Sequence, residues 1–294
     1  MTEKTLPTVI AVVGPTAIGK TSLGIALAKK LGGEVVSGDS RQVYRGLTIG
    51  TGKVTVEEME GVPHYLIDVA DPEVQFTAHE YVHRGREAIS DIFSRGKTPI
   101  IVGGTGMYID ALVGRIALAR VEPNKELRKE LEVLPLENLQ DKLRELDPER
   151  FKTIDTKNPR RLVRAIEIAM TEHTETGPIE PLYNVRWIGL SLPREELQKR
   201  IVNRLHQRLA EGMLEEAINL HARGLSYERM EELGLEYRYM ARHLQGRISF
   251  DEMIQALELE IYKYSKRQMT WFKKNKEIEW FDATHPELVL EAVS

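Results

Sequence analysis

The stretch Gly14-Pro15-Thr16-Ala17-Ile18-Gly19-Lys20-Thr21 has the glycine and lysine spacing of a phosphate-binding loop. It follows the apolar run 9–13 and precedes an apolar helical pattern, so strand, glycine loop and helix come in the required order. The backbone N–H groups of such a loop point at phosphate oxygens, and the helix presents its positive end. Lys20 adds a charge, and Thr21 a hydroxyl for Mg²⁺. The motif predicts a polyphosphate site and leaves the particular phosphate open.

A carboxylate follows the second predicted strand, residues 34–37. There Asp39 would lie beside the phosphate loop and could take a proton from an acceptor that attacks the bound phosphate, or the carbon attached to it. The alternative is a solvated aspartate that caps the turn at Ser40. Ser40-Arg41-Gln42-Val43-Tyr44 adds amide, guanidinium and phenol groups. This density of side chains that can read a base favours a site.

Two further places can contribute to the phosphate chemistry. Gly103-Gly104-Thr105-Gly106 follows a predicted strand at the point where many phosphate-loop hydrolases carry an aspartate for magnesium. A second N–H-rich turn there would enclose a diphosphate, with Thr105 donating its hydroxyl, but a plain strand-to-helix turn fits equally well. Arg200 and Arg204 share one helix face, so one of them can reach the diphosphate. Asp68 also ends a strand, where it caps a turn or binds magnesium.

A basic and aromatic segment lies near the end of the chain, at residues 261–276. It holds six cations and no acid, interleaved with aromatic residues: Lys263, Lys266, Arg267, Lys273, Lys274 and Lys276, with Tyr262, Tyr264, Trp271 and Phe272. Cations meet phosphates and rings stack on exposed bases, so the segment predicts contact with nucleic acid. A helix that buries its rings and solvates its lysines would look similar. Arg160, Arg161 and Arg164 form a second basic cluster, which favours a large anionic substrate.

The elements that must position these groups alternate between strand and helix up to about residue 120. Strands are predicted at 9–13, 34–37, 63–68 and 98–102, with a helix at 77–95. Residues 122–181 carry only helical patterns, at 124–134, 136–146 and 158–172. A strand at 185–190, helices at 193–221 and 249–274 and a strand at 277–281 follow. We predict an α/β fold: a P-loop NTPase-like parallel sheet flanked by helices, from residues 1–120 and 184–294, with an all-helical insertion at 121–183.

Composition bounds the class of protein. The chain has 294 residues, 41% hydrophobic and 29% charged, with no membrane-length apolar run and no secretory signal, so we expect a cytoplasmic protein without a membrane partner. Its lack of cysteine excludes disulfides, thiolate zinc sites and a cysteine nucleophile. The net charge of −4 argues against nonspecific coating of nucleic acid but permits a local basic groove.

Together these residues resemble the bacterial tRNA dimethylallyltransferase family, also called tRNA isopentenyltransferases, over nearly the whole chain. The resemblance rests on an ordered set of segments: the Gly14 loop, Asp39-Ser40-Arg41-Gln42-Val43-Tyr44-Arg45-Gly46, Ile49-Gly50-Thr51-Gly52-Lys53, His64-Tyr65-Leu66-Ile67-Asp68, Val102-Gly103-Gly104-Thr105-Gly106-Met107-Tyr108, Asn158-Pro159-Arg160-Arg161-Leu162-Val163-Arg164-Ala165-Ile166-Glu167 and Lys266-Arg267-Gln268-Met269-Thr270-Trp271-Phe272. Gly52 stands where alanine is commoner in the family.

The resemblance implies transfer of a dimethylallyl group from dimethylallyl diphosphate to N6 of the adenosine just 3′ of the anticodon. Thr16, Lys20 and Thr105 would contact the diphosphate, with Arg204 paired to it and Mg²⁺ on Thr21. Asp39 would accept the N6 proton. The adenine would leave the anticodon-loop stack to meet Asp39, Ser40, Gln42 and Thr105, with Arg41 nearby in an open role. Arg128, Arg160, Arg161, Arg164, Lys266, Arg267 and Gln268 would grip the anticodon stem-loop. We expect a monomer.

A phosphate-loop kinase of a small metabolite is the rival interpretation. It would use the same Gly14 loop and could bind an acceptor hydroxyl with Asp39, but it gives no reason for the basic aromatic segment. A nonenzymatic nucleotide switch or RNA-binding protein is disfavoured, because Gly103 replaces the acidic residue expected there.

Overall fold

The structure is a computed structural model that describes residues 6–119, 121, 124–171 and 181–293. Its internal contacts divide the chain into two units. The first comprises Met1–Arg115 and Glu180–Ser294, and the second comprises Ile116–Ile179. The first unit contains the whole sheet, and the second is helical.

The sheet has six strands within the described residues, and all its neighbouring strands pair in parallel. The strands are β1 (Thr8–Val13), β2 (Glu34–Ser37), β3 (His64–Tyr65), β4 (Pro99–Gly103), β5 (Asn184–Ser191) and β6 (Glu279–Asp282), in the spatial order β3-β2-β4-β1-β5-β6. The predicted parallel α/β sheet is therefore confirmed. Pro63–Asp68 was predicted as one strand, but only His64–Tyr65 pairs, because positive φ angles at Leu66 and Asp68 end the extended backbone.

The described part of the chain contains thirteen helices. They are α1 (Lys20–Leu31), α2 (Ala78–Ser94), α3 (Gly106–Leu112), α4 (Lys125–Glu132), α5 (Leu136–Leu146), α6 (Pro148–Thr153), α7 (Pro159–Ala169), α8 (Arg194–Ala210), α9 (Met213–Ala222), α10 (Tyr227–Leu233), α11 (Leu235–Leu244), α12 (Phe250–Phe272) and α13 (Pro286–Ala292). The helix predicted over 193–221 is two helices, because Gly212 adopts φ 97° between them. The sequence analysis assigned no element to α10 or α11.

The strand register brings the site loops together. Val13 at the end of β1 lies opposite Gly103 of β4, and Ser37 at the end of β2 lies opposite Val102. The loops that follow these three strands therefore leave the same edge of the sheet. Strand β1 is buried from Val9 onward, which fixes this edge in a rigid part of the core.

The helical unit has its own apolar core. Helices α5 and α7 supply most of it, through Leu139, Leu143, Leu162, Val163, Ala165 and Ile166, and α4 adds Leu131. The predicted end of the last helix at 172 and most of the predicted closing loop lie outside the described residues. None of the helices described here is long and apolar enough to cross a membrane.

Candidate active site

The phosphate loop joins β1 to α1 and leaves the first helical turn open. Gly19 is the N-cap of α1 with φ 97°, and no side chain caps that helix. The first backbone N–H groups of a helix lack intrahelical partners, so this end can receive an anion. The Lys20 ammonium donates to the carbonyl of Pro15 at 2.6 Å, which holds it against the loop.

Two cations crowd this loop. Burial and the neighbouring Arg204 lower the pKa of Lys20 to about 7, while Asp39 acts in the opposite direction. Burial and the proximity of Arg208 also lower the pKa of Arg204. Buried like charges disfavour each other's charged form unless an anion lies between them. The electrostatics therefore fit a site that binds a polyanion.

Arg204 is placed by the loop that ends at Gly52. Its Nη2 donates to the Gly52 carbonyl at 3.1 Å, and the Gln42 amide donates to the same carbonyl at 3.2 Å. A Cβ atom on Gly52 would lie 2.3 Å from Arg204 Nη2, and its φ of 57° disfavours any other residue. Glycine at this position therefore leaves space for the guanidinium to pack against the loop. Arg200 instead pairs with Glu196 at 3.3 Å.

Asp39 caps its turn with one carboxylate oxygen. Its Oδ1 accepts hydrogen bonds from the backbone N–H groups of Arg41 at 2.8 Å and Gln42 at 3.3 Å. Within the described residues Oδ2 accepts no hydrogen bond from protein. The two predicted roles, turn cap and proton acceptor, are therefore compatible, since the turn cap uses Oδ1 and leaves Oδ2 open.

Thr105 connects the β4 loop to the Asp39 turn. Its hydroxyl oxygen accepts from the Ser40 N–H at 3.1 Å and its hydroxyl lies 3.3 Å from Ser40 Oγ. A Cβ atom on Gly103 would lie 2.2 Å from the Gly38 carbonyl oxygen, so an aspartate is sterically excluded there. Asp68, the other candidate for magnesium, pairs with the buried ammonium of Lys53 at 2.5 Å.

Gln268 links the phosphate loop to the β4 loop. Its side chain is 5% exposed, with Oε1 accepting from the Thr16 N–H and Nε2 donating to the Gly104 carbonyl, each at 2.9 Å. Both polar ends of this side chain are therefore used inside the protein. Its neighbours Lys266 and Arg267 are exposed and lie over the rings of Tyr262 and Tyr264.

We expect Gln268→Leu to lower the free energy of unfolding by about 1–3 kcal/mol, because a buried donor and a buried acceptor lose their partners. Urea unfolding followed by circular dichroism measures this change. Lys266→Leu, two residues away on the exposed side of the helix, is the control and should unfold as wild type does. Equal unfolding free energies for the Gln268 and Lys266 variants would contradict this assignment.

Two cavities meet at Arg204 and Arg208. One, of about 800 Å³, is lined by the end of the phosphate loop and by α8, and Lys20 and Thr21 open onto it. The other, of about 310 Å³, is lined by Thr16, Asp39 and residues of α11 and α12. An anion on the loop and a group beside Asp39 would therefore occupy neighbouring cavities that share Arg204 as a wall.

The second cavity contains residues that sequence reasoning did not assign to the site. Glu236 and Arg238 of α11 and Tyr264 of α12 line it. Burial raises the pKa of Tyr264 to about 12, so its hydroxyl stays protonated near neutrality. Only the aromatic character of the segment 261–276 hinted at Tyr264. No sequence signal pointed to the 233–239 region.

The predicted RNA-binding arginines of the helical unit fall into two groups. Arg128 and Arg164 both pair with the buried carboxylate of Glu167, Arg128 at 2.8 Å, and Arg164 also donates to the Val121 carbonyl. Arg160 and Arg161 are exposed, and Arg161 lies 3.6 Å from Asp155. The first pair is committed largely to the unit's own packing, while the second pair faces solvent.

Comparison with known proteins places this geometry in context. Residues 42–275 match the IPP transferase family. A tRNA dimethylallyltransferase of Geobacillus thermodenitrificans is 41% identical over 298 aligned residues, covering 98% of this chain and 93% of the relative. The full-length tRNA isopentenylpyrophosphate transferase of Bacillus halodurans superposes with a TM-score of 0.72 at 36% identity, covering 97% and 96% of the two chains. A eukaryotic dimethylallyltransferase acting on tRNA has a TM-score of 0.77 at 26% identity, covering 94% and 74%.

Proposed function

This chain belongs to the tRNA dimethylallyltransferase family, and from that premise we propose how its residues carry out prenyl transfer to tRNA. The enzyme is a prenyltransferase that moves a dimethylallyl group from dimethylallyl diphosphate to N6 of the adenosine immediately 3′ of the anticodon. The observation that carries the assignment of roles is the meeting of two cavities at Arg204. One cavity presents the phosphate loop, and the other presents the Asp39 carboxylate.

The diphosphate of the donor binds the loop from Gly14 to Thr21. Backbone N–H groups at the start of α1 bind its oxygens, and Lys20 and Arg204 supply positive charge. Burial and the neighbouring Arg204 lower the pKa of Lys20, and a bound anion offsets both effects, so donor binding favours the ammonium form. Thr16 and Thr105 complete the contacts from the two loops that Gln268 holds together.

The reaction exchanges a carbon–oxygen bond for a carbon–nitrogen bond. As the bond from the allylic carbon to the bridging oxygen breaks, negative charge grows on the diphosphate, where Lys20 and Arg204 stabilise it. The exocyclic amine of adenine attacks that carbon and becomes acidic as the new bond forms. Asp39 Oδ2 then accepts the N6 proton, while Oδ1 keeps the carboxylate oriented through the Arg41 and Gln42 N–H groups.

Magnesium fits the donor site through oxygen ligands. The Thr21 hydroxyl is exposed to the larger cavity, and no group of three or more acidic, histidine or cysteine side chains in the described structure could bind a metal alone. Mg²⁺ commonly takes its other ligands from substrate phosphates and water. Thr21 would hold Mg²⁺, and the chemistry that the ion would supply is neutralisation of charge on the leaving diphosphate.

The RNA side of the site reads a single unstacked adenine. Ser40 and Gln42 lie in the same turn as Asp39 and offer hydrogen bonds to the base edge, and Arg41 lines the smaller cavity. Lys266 and Arg267 bind the backbone of the anticodon stem-loop, and Arg160 and Arg161 bind it from the inserted helical domain at residues 121–183. Gln268, Arg128 and Arg164 stabilise the structure beneath these surfaces through their internal contacts. The enzyme would work as a monomer in the cytoplasm, where its tRNA substrates are.

We expect the double substitution of Lys266 and Arg267 by alanine to weaken RNA binding. The slope of log Kd against log salt concentration should also fall by about two, one for each phosphate that the variant no longer neutralises. Fluorescence anisotropy with a labelled anticodon stem-loop across a salt series measures this slope. Lys97→Ala is the control, because Lys97 is exposed and precedes β4 at the sheet edge opposite the site. An unchanged slope in the double variant would remove the two residues from the RNA surface.

A single-turnover reaction tests the proposed function. Purified protein, Mg²⁺, radiolabelled dimethylallyl diphosphate and an unmodified anticodon stem-loop are mixed, and label on RNA is scored. Label on the adenosine 3′ of the anticodon supports the proposal, and a stem-loop with guanosine at that position should stay unlabelled. Absence of label, with ATP turnover in the presence of small acceptors, would favour the kinase alternative.

A further inference from the structure

Glu216 on α9 organises a loop that belongs to another part of the chain. Its Oε2 accepts from the backbone N–H groups of Thr48 at 2.9 Å and Ile49 at 2.7 Å. Its Oε1 accepts from the N–H of Gly50 at 2.9 Å and from the hydroxyl of Tyr237 at 2.7 Å. Three consecutive backbone donors that converge on one point form an anion-binding concavity, and the carboxylate fills it.

Arg208 binds a carbonyl group of the same loop. Its guanidinium donates to the carbonyl of Gly50 at 2.9 Å and pairs with Glu236 at 2.8 Å, and its side chain is 10% exposed. A Cβ atom on Gly50 would lie 2.7 Å from the Tyr237 ring, so the backbone sits directly against that ring. The loop is therefore held on its N–H side by a carboxylate and on its carbonyl side by a guanidinium.

The end of this loop is where the donor site begins. Gly52, two residues after Gly50, donates its N–H to the Ile49 carbonyl at 3.0 Å and offers its own carbonyl to both Arg204 and Gln42. Hydrogen bonds of the short turn from Thr48 to Gly52 therefore connect Glu216 to Arg204. Glu216 itself lines neither cavity described above, whereas Arg204 lines both.

We propose that Glu216 is a positioning residue for the donor site, which sets the place of the Gly52 carbonyl and through it the orientation of Arg204 toward the diphosphate. This inference rests on the proposed function, since it takes Arg204 as a diphosphate ligand. Glu216 has no contact with substrate in this scheme. Its substitution changes donor handling because a misplaced guanidinium stabilises the leaving group less well.

A double-mutant cycle between Glu216→Gln and Arg204→Ala tests the proposal. The amide puts a donor where one carboxylate oxygen accepts two hydrogen bonds, so we expect kcat/KM for dimethylallyl diphosphate to fall about tenfold, since displaced catalytic groups lose much of their effect. RNA Kd should stay unchanged. In the Arg204→Ala background the same change should add little, because residues that act through one another are not additive.

Glu215→Gln is the matched control, since Glu215 is the exposed neighbour on the same helix. If Glu216→Gln does not fold, Tyr237→Phe replaces it in the cycle, because it removes one hydrogen bond from the same carboxylate and keeps the ring. Equal effects of the substitution with and without Arg204 would overturn the proposal, as would a lower melting temperature with unchanged kcat/KM for the donor. Failure of the proposed function is distinct, because the wild-type enzyme itself would then transfer no label.

Discussion

Asp39→Asn should reduce turnover by about two to four powers of ten, the range in which general bases contribute, and leave RNA binding nearly intact. The asparagine keeps a side-chain oxygen that can accept from the Arg41 and Gln42 N–H groups, so the turn is preserved. Its amide cannot accept the N6 proton. Single-turnover transfer of label to the stem-loop measures the chemical step, and anisotropy measures RNA affinity.

The comparison with Asp39→Ala separates the two roles of this carboxylate. Alanine removes both the turn cap and the proton acceptor, so it should lose at least as much turnover and also some affinity for RNA through the displaced Gln42. Wild-type turnover in Asp39→Asn would eliminate Asp39 as the base. A loss of RNA binding in that variant equal to the loss of turnover would make it a structural residue instead.

Arg204→Ala should lower kcat/KM for dimethylallyl diphosphate by about two to three powers of ten, the effect of removing one donor aimed at developing charge. Arg204 lines both cavities and its guanidinium donates to the Gly52 carbonyl, so it borders the proposed diphosphate site and the cavity that holds Asp39. Steady-state kinetics at saturating stem-loop RNA separate the effect on kcat from that on KM.

Arg200→Ala is the control for Arg204, because it removes the same charge one helical turn away. Arg200 lines the larger cavity but pairs with Glu196, so its loss should leave donor kinetics close to wild type. Similar losses of kcat/KM in the two variants would mean that the positive charge of α8 as a whole, and not Arg204 in particular, stabilises the diphosphate. Unchanged kinetics in Arg204→Ala would remove it from the site.

The loops of the site were predictable because their positions follow from local patterns. Apolar runs that end in Gly14, Asp39 and Gly103 predict strands in a parallel sheet, and such strands deliver their loops to one edge. The structure brings these three loops together as expected. That the turn occupies one oxygen of Asp39 and leaves the other open was not predictable, since a carboxylate's two oxygens are distinguished only by the turn that it caps.

The walls of the smaller cavity depend on long-range packing, which residue spacing does not encode. Helices α10 and α11 are short and separated only by Gly234, so their periodicity is weak. Gln268 lies in a basic segment that predicts an exposed surface, yet the helix turns this one amide inward to the phosphate loop. The partners are 252 positions apart in sequence, and no local rule connects them.

Helix α12 limits how the enzyme can be redesigned. Within five consecutive residues it carries Tyr264 on the cavity wall, Lys266 and Arg267 on the surface, and Gln268 against the phosphate loop. A rigid helix cannot shift one of these without shifting the others. Engineering the enzyme toward a different RNA by moving or re-registering α12 would therefore damage use of the prenyl donor. The exposed Arg160 and Arg161, which we propose as RNA contacts, lie on α7 and can be changed without altering α12, so they are the safer positions for altering RNA preference.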